Sequence, residues 1–102
     1  MWIRQTLRPV MIDVDGGWDL RQEAPRRAWT AAIGPTAVAS YLRLREAARL
    51  GETMLRPEHL ELLTREHLVA HHRRTVLVPS LVPPVSLARL RRSTAGRKLL
   101  QP

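Results

Sequence analysis

The chain has 102 residues, a formal net charge of +8 and no cysteine. A chain of this length forms one domain with a modest core, and without cysteine it has neither disulfide bonds nor thiolate metal sites. No apolar run approaches the roughly 18 residues that a membrane-spanning helix needs. We therefore expect an intracellular protein. The compartment stays open between the cytoplasm and an organelle, because the basic and apolar spacing of residues 1–12 also fits a targeting segment.

The first half of the chain predicts a loop followed by two helices. Residues 13–19 are typical of a turn, because glycines at 16 and 17 adopt positive φ without steric cost. Pro25 suits the first turn of a helix, which we place over residues 25–33. Over residues 36–50, apolar positions recur on one face at helical spacing, and Gly51 is suited to end this second helix in the left-handed conformation.

A third helix is predicted over residues 57–72, with glutamates near its start and histidines near its end. Its leucines and valine spread around much of the circumference, so one small domain can hardly cover them all. We therefore expect this helix and the following apolar segment to contact a protein partner or a second copy. The predicted partner-binding residues are Leu60, Leu63, Leu68, Val69, Val78, Leu81 and Val82.

The stretch TVLVPSLVPPV, residues 75–85, changes character. Its first four residues are apolar or β-branched, which favours a strand, but the prolines at 79, 83 and 84 argue against a central strand. We predict an edge strand that continues into a polyproline-like extension. Such an apolar segment is expected to lie along a surface, either its own or that of a neighbour.

Nearly all of the excess charge lies in the last third of the chain. Residues 1–66 hold ten basic and nine acidic side chains, whereas residues 67–102 hold seven Lys and Arg and no acid. A surface of one sign attracts polyanions. Biased codon usage would explain the preference for Arg over Lys but not the missing acids. The predicted nucleic-acid-binding residues are Arg73, Arg74, Arg89, Arg91, Arg92, Arg97 and Lys98.

The sequence favours neither a metal site nor a catalytic centre. His67 and His71 are four residues apart, which would place both on one helix face, but the zinc-protease pattern H-E-x-x-H is absent. No nucleophile elbow and no Gly-rich phosphate loop occurs. We expect a non-enzymatic protein with no cofactor and no bound metal.

Together these observations predict a mainly α protein. About three helices form a small core within residues 1–72, and an extended, proline-rich and basic arm spans residues 73–102. The function we expect is that of a structural component of a large ribonucleoprotein, such as a ribosome, whose arm contacts RNA phosphates. Two alternatives stay open: the basic residues contact acidic protein surfaces, or the chain is a purely protein-binding subunit of a virion or of a multi-subunit enzyme complex.

Overall fold

The computed structural model describes residues 5–86, and within this range the fold combines helices with a mixed sheet. The prediction of a mainly α fold is therefore wrong: between residues 5 and 86, three helices accompany a four-stranded sheet. In chain order the elements are β1 (Thr6–Ile12), α1 (Glu23–Ile33), α2 (Pro35–Leu50), β2 (Met54–Leu55), α3 (Leu60–Arg65), β3 (Ala70–His72) and β4 (Thr75–Pro79). The strand order across the sheet is β2-β1-β4-β3.

The two longest strands, β1 and β4, run parallel at the centre of the sheet and present their two faces differently. Side chains alternate between the faces of a strand. Leu7, Val76 and Val78 are fully buried on the inner face, where α2 packs. Val10 and Ile12 lie on the outer face and remain exposed. The helices in the described range thus cover one face of the sheet and leave the other open.

The predicted helix over 57–72 is wrong in its extent, because α3 ends at Arg65. The N–H of His67 donates to the carbonyl of Thr64, and the N–H of Leu68 donates to that of Leu63. This pair of bonds is the Schellman arrangement that ends a helix, and its left-handed residue is His67 with φ 62° rather than a glycine. Leu60 and Leu63 therefore reach the core from α3, whereas Leu68 and Val69 reach it from the connection between α3 and β3.

Strand β4 lies between β1 and β3, so the prediction of an edge strand is also wrong. Its proline causes no conflict because Pro79 is its last residue. Donors alternate between the two neighbours of a strand, and the N–H that Pro79 lacks would point past β3, whose last pairing is Ala70 with Leu77. Pro9 in β1 similarly faces the side where β2 no longer pairs. Both prolines thus occupy positions where no ladder bond is lost.

The two helices predicted in the first half of the chain are confirmed. Helix α1 extends two residues further towards the N-terminus than predicted, and α2 begins at Pro35 rather than at residue 36. Gly51 has φ 69°, and its N–H donates to the last-turn carbonyls of α2, as the sequence predicted. Tyr41 and Leu44 of α2 are fully buried, so this helix supplies much of the core.

Residues 79–86, which we call the proline-rich segment, lie along the core of the same chain. The indole Nε1 of Trp29 donates to the carbonyl of Pro83 over 2.9 Å. Trp18 and Val82 exchange two backbone hydrogen bonds, at 2.7 and 2.9 Å. The expectation that this segment follows a surface is confirmed, and the surface is its own.

Candidate nucleic-acid interface

The turn between β3 and β4 presents two arginines from a constrained backbone. His72 pairs with Thr75, so Arg73 and Arg74 form a two-residue hairpin loop. Arg73 has φ 55°, a left-handed conformation that costs a residue with a Cβ about 1–2 kcal/mol. The ring Nε2 of His71 donates a hydrogen bond to the Arg73 carbonyl over 2.6 Å. This bond holds the turn in the conformation that exposes both guanidinium groups.

The sheet brings a third arginine to this turn from the other end of the sequence. Arg8 of β1 is in register with Thr75, and its N–H donates to the carbonyl of Arg74 over 2.7 Å. Sequence analysis missed Arg8 because its proximity depends on the parallel pairing of β1 with β4. The alternation of exposed and apolar residues in β1 is the signal that could have indicated a strand there.

The three arginines at this end of the sheet have no acidic partner among residues 5–86. The ion pairs found in that range are Asp19–Arg21, Glu46–Arg49 and Glu61–Arg56. The Arg21 guanidinium lowers the pKa of Asp19 by hydrogen bonding to it, and Arg49 lowers the pKa of Glu46 in the same way. Several surface acids are thus matched by other arginines, and the charge at the β3–β4 turn is left uncompensated.

The structure places only part of the predicted nucleic-acid-binding set. Arg73 and Arg74 lie at the start of β4, where both are exposed. Beyond β4 the proline-rich segment continues past the opposite end of the sheet, so residues 73–86 belong to the folded core. The remaining members lie outside the described residues: Arg89, Arg91, Arg92, Arg97 and Lys98.

Six of the seven predicted partner-binding residues lie in the core of the chain itself, each no more than 4% exposed: Leu60, Leu63, Leu68, Val69, Val78 and Val82. The seventh, Leu81, is half-buried. Packing within one chain therefore accounts for the apolar surface that led us to expect a partner at these positions. The exposed apolar side chains lie elsewhere, mainly on the outer face of the sheet, where Val10, Ile12 and Leu55 are 39%, 38% and 52% exposed.

The histidines do not form a metal centre in the described part of the chain. His67 follows the C-cap of α3 and His71 lies in β3, so they do not share a helix face. No group of three or more potential metal ligands occurs between residues 5 and 86. In the same range, no helix has the length and apolar character required to cross a bilayer.

The buried polar side chains of α2 serve the proline-rich segment. The Tyr41 hydroxyl donates to the carbonyl of Pro79 over 2.7 Å, and Arg45 Nε donates to that of Ser80 over 3.4 Å. Burial raises the pKa of Tyr41 to about 12. The neutral Tyr41 phenol stabilises the fold by donating to a backbone carbonyl.

Comparison with known proteins gives no functional assignment. No known protein family, curated protein or solved structure matches this chain. The charge and geometry described above are therefore the only basis for a functional proposal.

Proposed function

We propose that the chain is a non-enzymatic component of a ribonucleoprotein and contacts RNA phosphates through its uncompensated arginines. The observation that carries this proposal is the β3–β4 turn, where Arg73 and Arg74 are exposed without an acidic partner among residues 5–86. Guanidinium groups bind phosphate oxygens through two parallel hydrogen bonds. A turn held by strand pairing and by the His71 ring presents them with little loss of backbone freedom on binding.

The basic C-terminal residues belong to the same proposal. Residues 87–102 contain four arginines and one lysine and no acid. In the proposed complex, the turn and these residues neutralise phosphates and do not read base sequence. The outer face of the sheet also supports binding without sequence recognition. Between residues 5 and 86, this face carries no aromatic side chain other than histidine on which bases would stack.

The salt dependence of RNA affinity tests the proposal. If about four to six phosphates are neutralised, the logarithm of affinity falls against the logarithm of salt with a slope of magnitude about 3–5. Replacing Arg73 and Arg74 by glutamine is expected to reduce this slope by about 1.5, and replacing Arg91 and Arg92 by about the same amount. Fluorescence anisotropy with a labelled single-stranded RNA measures both quantities.

The matched control is Arg26→Gln with Arg27→Gln, which removes two consecutive arginines from α1. This variant is expected to keep the slope of the unmodified chain, because α1 lies away from the β3–β4 turn. An equal loss of slope in the control would indicate a general charge effect and contradict the assigned interface. Absence of RNA binding by the unmodified chain at low salt would contradict the proposed function itself.

A specific observation favours a second candidate, a protein-binding structural subunit. The outer face of the sheet exposes Val10, Ile12 and Leu55, and apolar side chains grouped on one open face are typical of protein contact. Stable association with protein after nuclease treatment, with no RNA binding at low salt, would favour this candidate over the first.

A further inference from the structure

A pocket of about 460 Å³ lies beside β2, the outermost strand on one side of the sheet described over residues 5–86. Its lining, which defines what we call the β2 pocket, consists of Arg43 of α2 and residues 54–58. Strand pairing with β1 fixes the backbone of this stretch, and the N–H of Arg56 donates to the Gln5 carbonyl over 2.8 Å. Pro57 restricts the backbone further, because its ring fixes φ. The pocket therefore has a well-defined shape before any ligand binds.

Two guanidinium groups of the β2 pocket lack a close acidic partner in the described part of the chain. Arg43 is exposed, and its Nη2 donates to the Ser40 hydroxyl over 3.4 Å rather than to a carboxylate. Arg56 has one long contact, 3.9 Å, with the Glu61 carboxylate. Because the Glu61 side chain is 87% exposed, water screens this ion pair and it contributes little. Both arginines are therefore available to bind an anion.

The third charge of the β2 pocket is the Glu58 carboxylate. No ion pair joins it to a basic side chain between residues 5 and 86, and it would repel a free phosphate ion. A carboxylate accepts hydrogen bonds, however, so it suits a ligand that presents N–H groups as well as an anion. Met54, Leu55 and Pro57 supply the apolar part of the lining. One ligand thus meets two cations, a hydrogen-bond acceptor and apolar surface.

We propose that the β2 pocket binds one nucleotide of a single-stranded RNA, an inference that rests on the RNA-binding function proposed above. Arg43 and Arg56 bind the phosphate, and the base packs on the apolar side chains and on a guanidinium plane, as unstacked bases do. Glu58 accepts a hydrogen bond from an exocyclic amino group, as carboxylates do from the N4 amino group of cytosine. The volume of the pocket lies within the range of about 300–1,000 Å³ that is typical of small-molecule and cofactor sites.

The β2 pocket and the β3–β4 turn lie at the same end of the sheet. Arg56 is bonded to Gln5, directly before β1, and Arg74 accepts a hydrogen bond from Arg8 on the other side of β1. A strand spacing of about 4.8 Å and a rise of about 3.3 Å per residue place the Cα atoms of Arg56 and Arg74 about 12 Å apart. A few nucleotides of a single strand span this distance. One RNA strand can therefore occupy the turn and the pocket together.

The affinities of the full chain for labelled oligo(C) and oligo(U), measured by fluorescence anisotropy at low salt, test the base contact. The two bases differ at C4, where cytosine presents an amino group and uracil a carbonyl oxygen. The unmodified chain is expected to bind oligo(C) about threefold to tenfold more tightly, the typical net effect of one hydrogen bond. Glu58→Gln is expected to remove this preference, because the glutamine amide both donates and accepts.

Replacement of the two arginines tests the phosphate contact separately. Arg43→Gln and Arg56→Gln are each expected to weaken the binding of both RNAs. The double variant is expected to reduce the slope of log affinity against log salt by about 0.7, the value for one phosphate of a single strand. The matched controls are Arg27→Gln and Glu23→Gln on α1, because neither residue lines the pocket. Both controls are expected to keep the slope and the preference for oligo(C).

The outcomes separate this inference from the proposed function, and circular dichroism confirms that each variant is folded. Equal affinity of the unmodified chain for the two RNAs, with a slope that responds to variants of the β3–β4 turn but not to those of Arg43 and Arg56, would overturn the pocket and leave RNA binding intact. A preference for oligo(C) that persists in Glu58→Gln would overturn the assigned base contact. Absence of RNA binding at low salt would contradict the proposed function and this inference together.

Discussion

The segments on either side of β4 differ in their environment: the basic turn before the strand is exposed, whereas the proline-rich segment after it packs on the core. At its start, Arg73 and Arg74 are exposed and have no acidic partner among residues 5–86. At and beyond its end, the backbone carbonyls of Pro79, Ser80 and Pro83 accept hydrogen bonds from side chains of α1 and α2. Charge therefore predicts the exposure of Arg73 and Arg74. The packing of the proline-rich segment is determined instead by its backbone hydrogen bonds and its apolar side chains.

Arginine also has two roles in this fold: one arginine of α2 hydrogen-bonds within the core, and those of the β3–β4 turn are exposed. Arg45, on the buried face of α2, is 8% exposed and donates to the Ser80 carbonyl. It stabilises the proline-rich segment, whereas the arginines of the β3–β4 turn are open to solvent. Composition does not distinguish these arginines, whereas their positions in the helix and in the turn do.

The largest expected effect concerns the contact between the 13–19 loop and the proline-rich segment. Gly17 has φ 128°, and a Cβ there would lie 2.9 Å from the Val82 carbonyl oxygen and 3.0 Å from Leu81 Cβ. Gly17→Ala is therefore expected to lower the free energy of unfolding by about 2–4 kcal/mol, through backbone strain and the steric clash. Urea denaturation followed by circular dichroism measures the change.

The neighbouring glycine supplies the control. Gly16 also has positive φ, 78°, but a Cβ there would have no heavy atom within 4 Å. Gly16→Ala is expected to cost only the conformational strain, about 1 kcal/mol. Equal losses in the two variants would show that the loop is not packed against residues 81 and 82, and that the proline-rich segment is not held as described.

Local signals predicted the parts of the fold that depend on neighbours in sequence. The helix over 36–50, its cap at Gly51 and the loop at 13–19 were predictable because periodicity and glycine act within a few residues. The candidate site was predictable only in part. Arg73 and Arg74 followed from the missing acids of the last third, whereas Arg8 did not, because strand pairing between distant residues leaves no local mark.

The wrong predictions also have local physical causes. Helix α3 ends at a left-handed histidine, His67, and the usual glycine signal for such an end is absent. Pro79 was interpreted as excluding a central strand, but a proline at the last residue of a strand removes no ladder bond when the neighbouring strand has already ended. Composition indicates proline but not the register in which it falls, and the register decides its effect.

A smaller effect is expected from the side chain that fastens the start of the proline-rich segment to α2. Tyr41→Phe removes the donor to the Pro79 carbonyl and is expected to cost about 1–2 kcal/mol at neutral pH. Alkaline pH sharpens the test, because burial raises the pKa of Tyr41 from 10.0 to about 12 in the folded chain. The folded state therefore retains a proton that the unfolded state releases first.

The sign of the pH dependence follows from this difference in proton binding. Below about pH 10 both states are protonated and the contribution is fully present, and between about pH 10 and 12 the free energy of unfolding falls as pH rises. The fall attributable to Tyr41 is expected to reach up to about 2 kcal/mol and to be absent from the Tyr41→Phe variant. Urea denaturation of both proteins at pH 9 and pH 11 measures it, and parallel losses in the two would contradict a buried Tyr41.

The smallest expected change in stability lies at the other end of β4 and separates backbone from charge. Arg73→Gly relieves the left-handed strain but adds freedom to the unfolded chain, so the free energy of unfolding is expected to rise by about 0.5 kcal/mol. The same variant is expected to weaken RNA binding, because one phosphate contact is lost. Arg73→Gln keeps the strain and removes the charge, so it should match Arg73→Gly in RNA affinity and the unmodified chain in stability. If Arg73→Gly bound RNA as well as the unmodified chain, the strained arginine would have no role in phosphate contact, and the contact would depend on Arg74 and on the basic residues that follow Ser86.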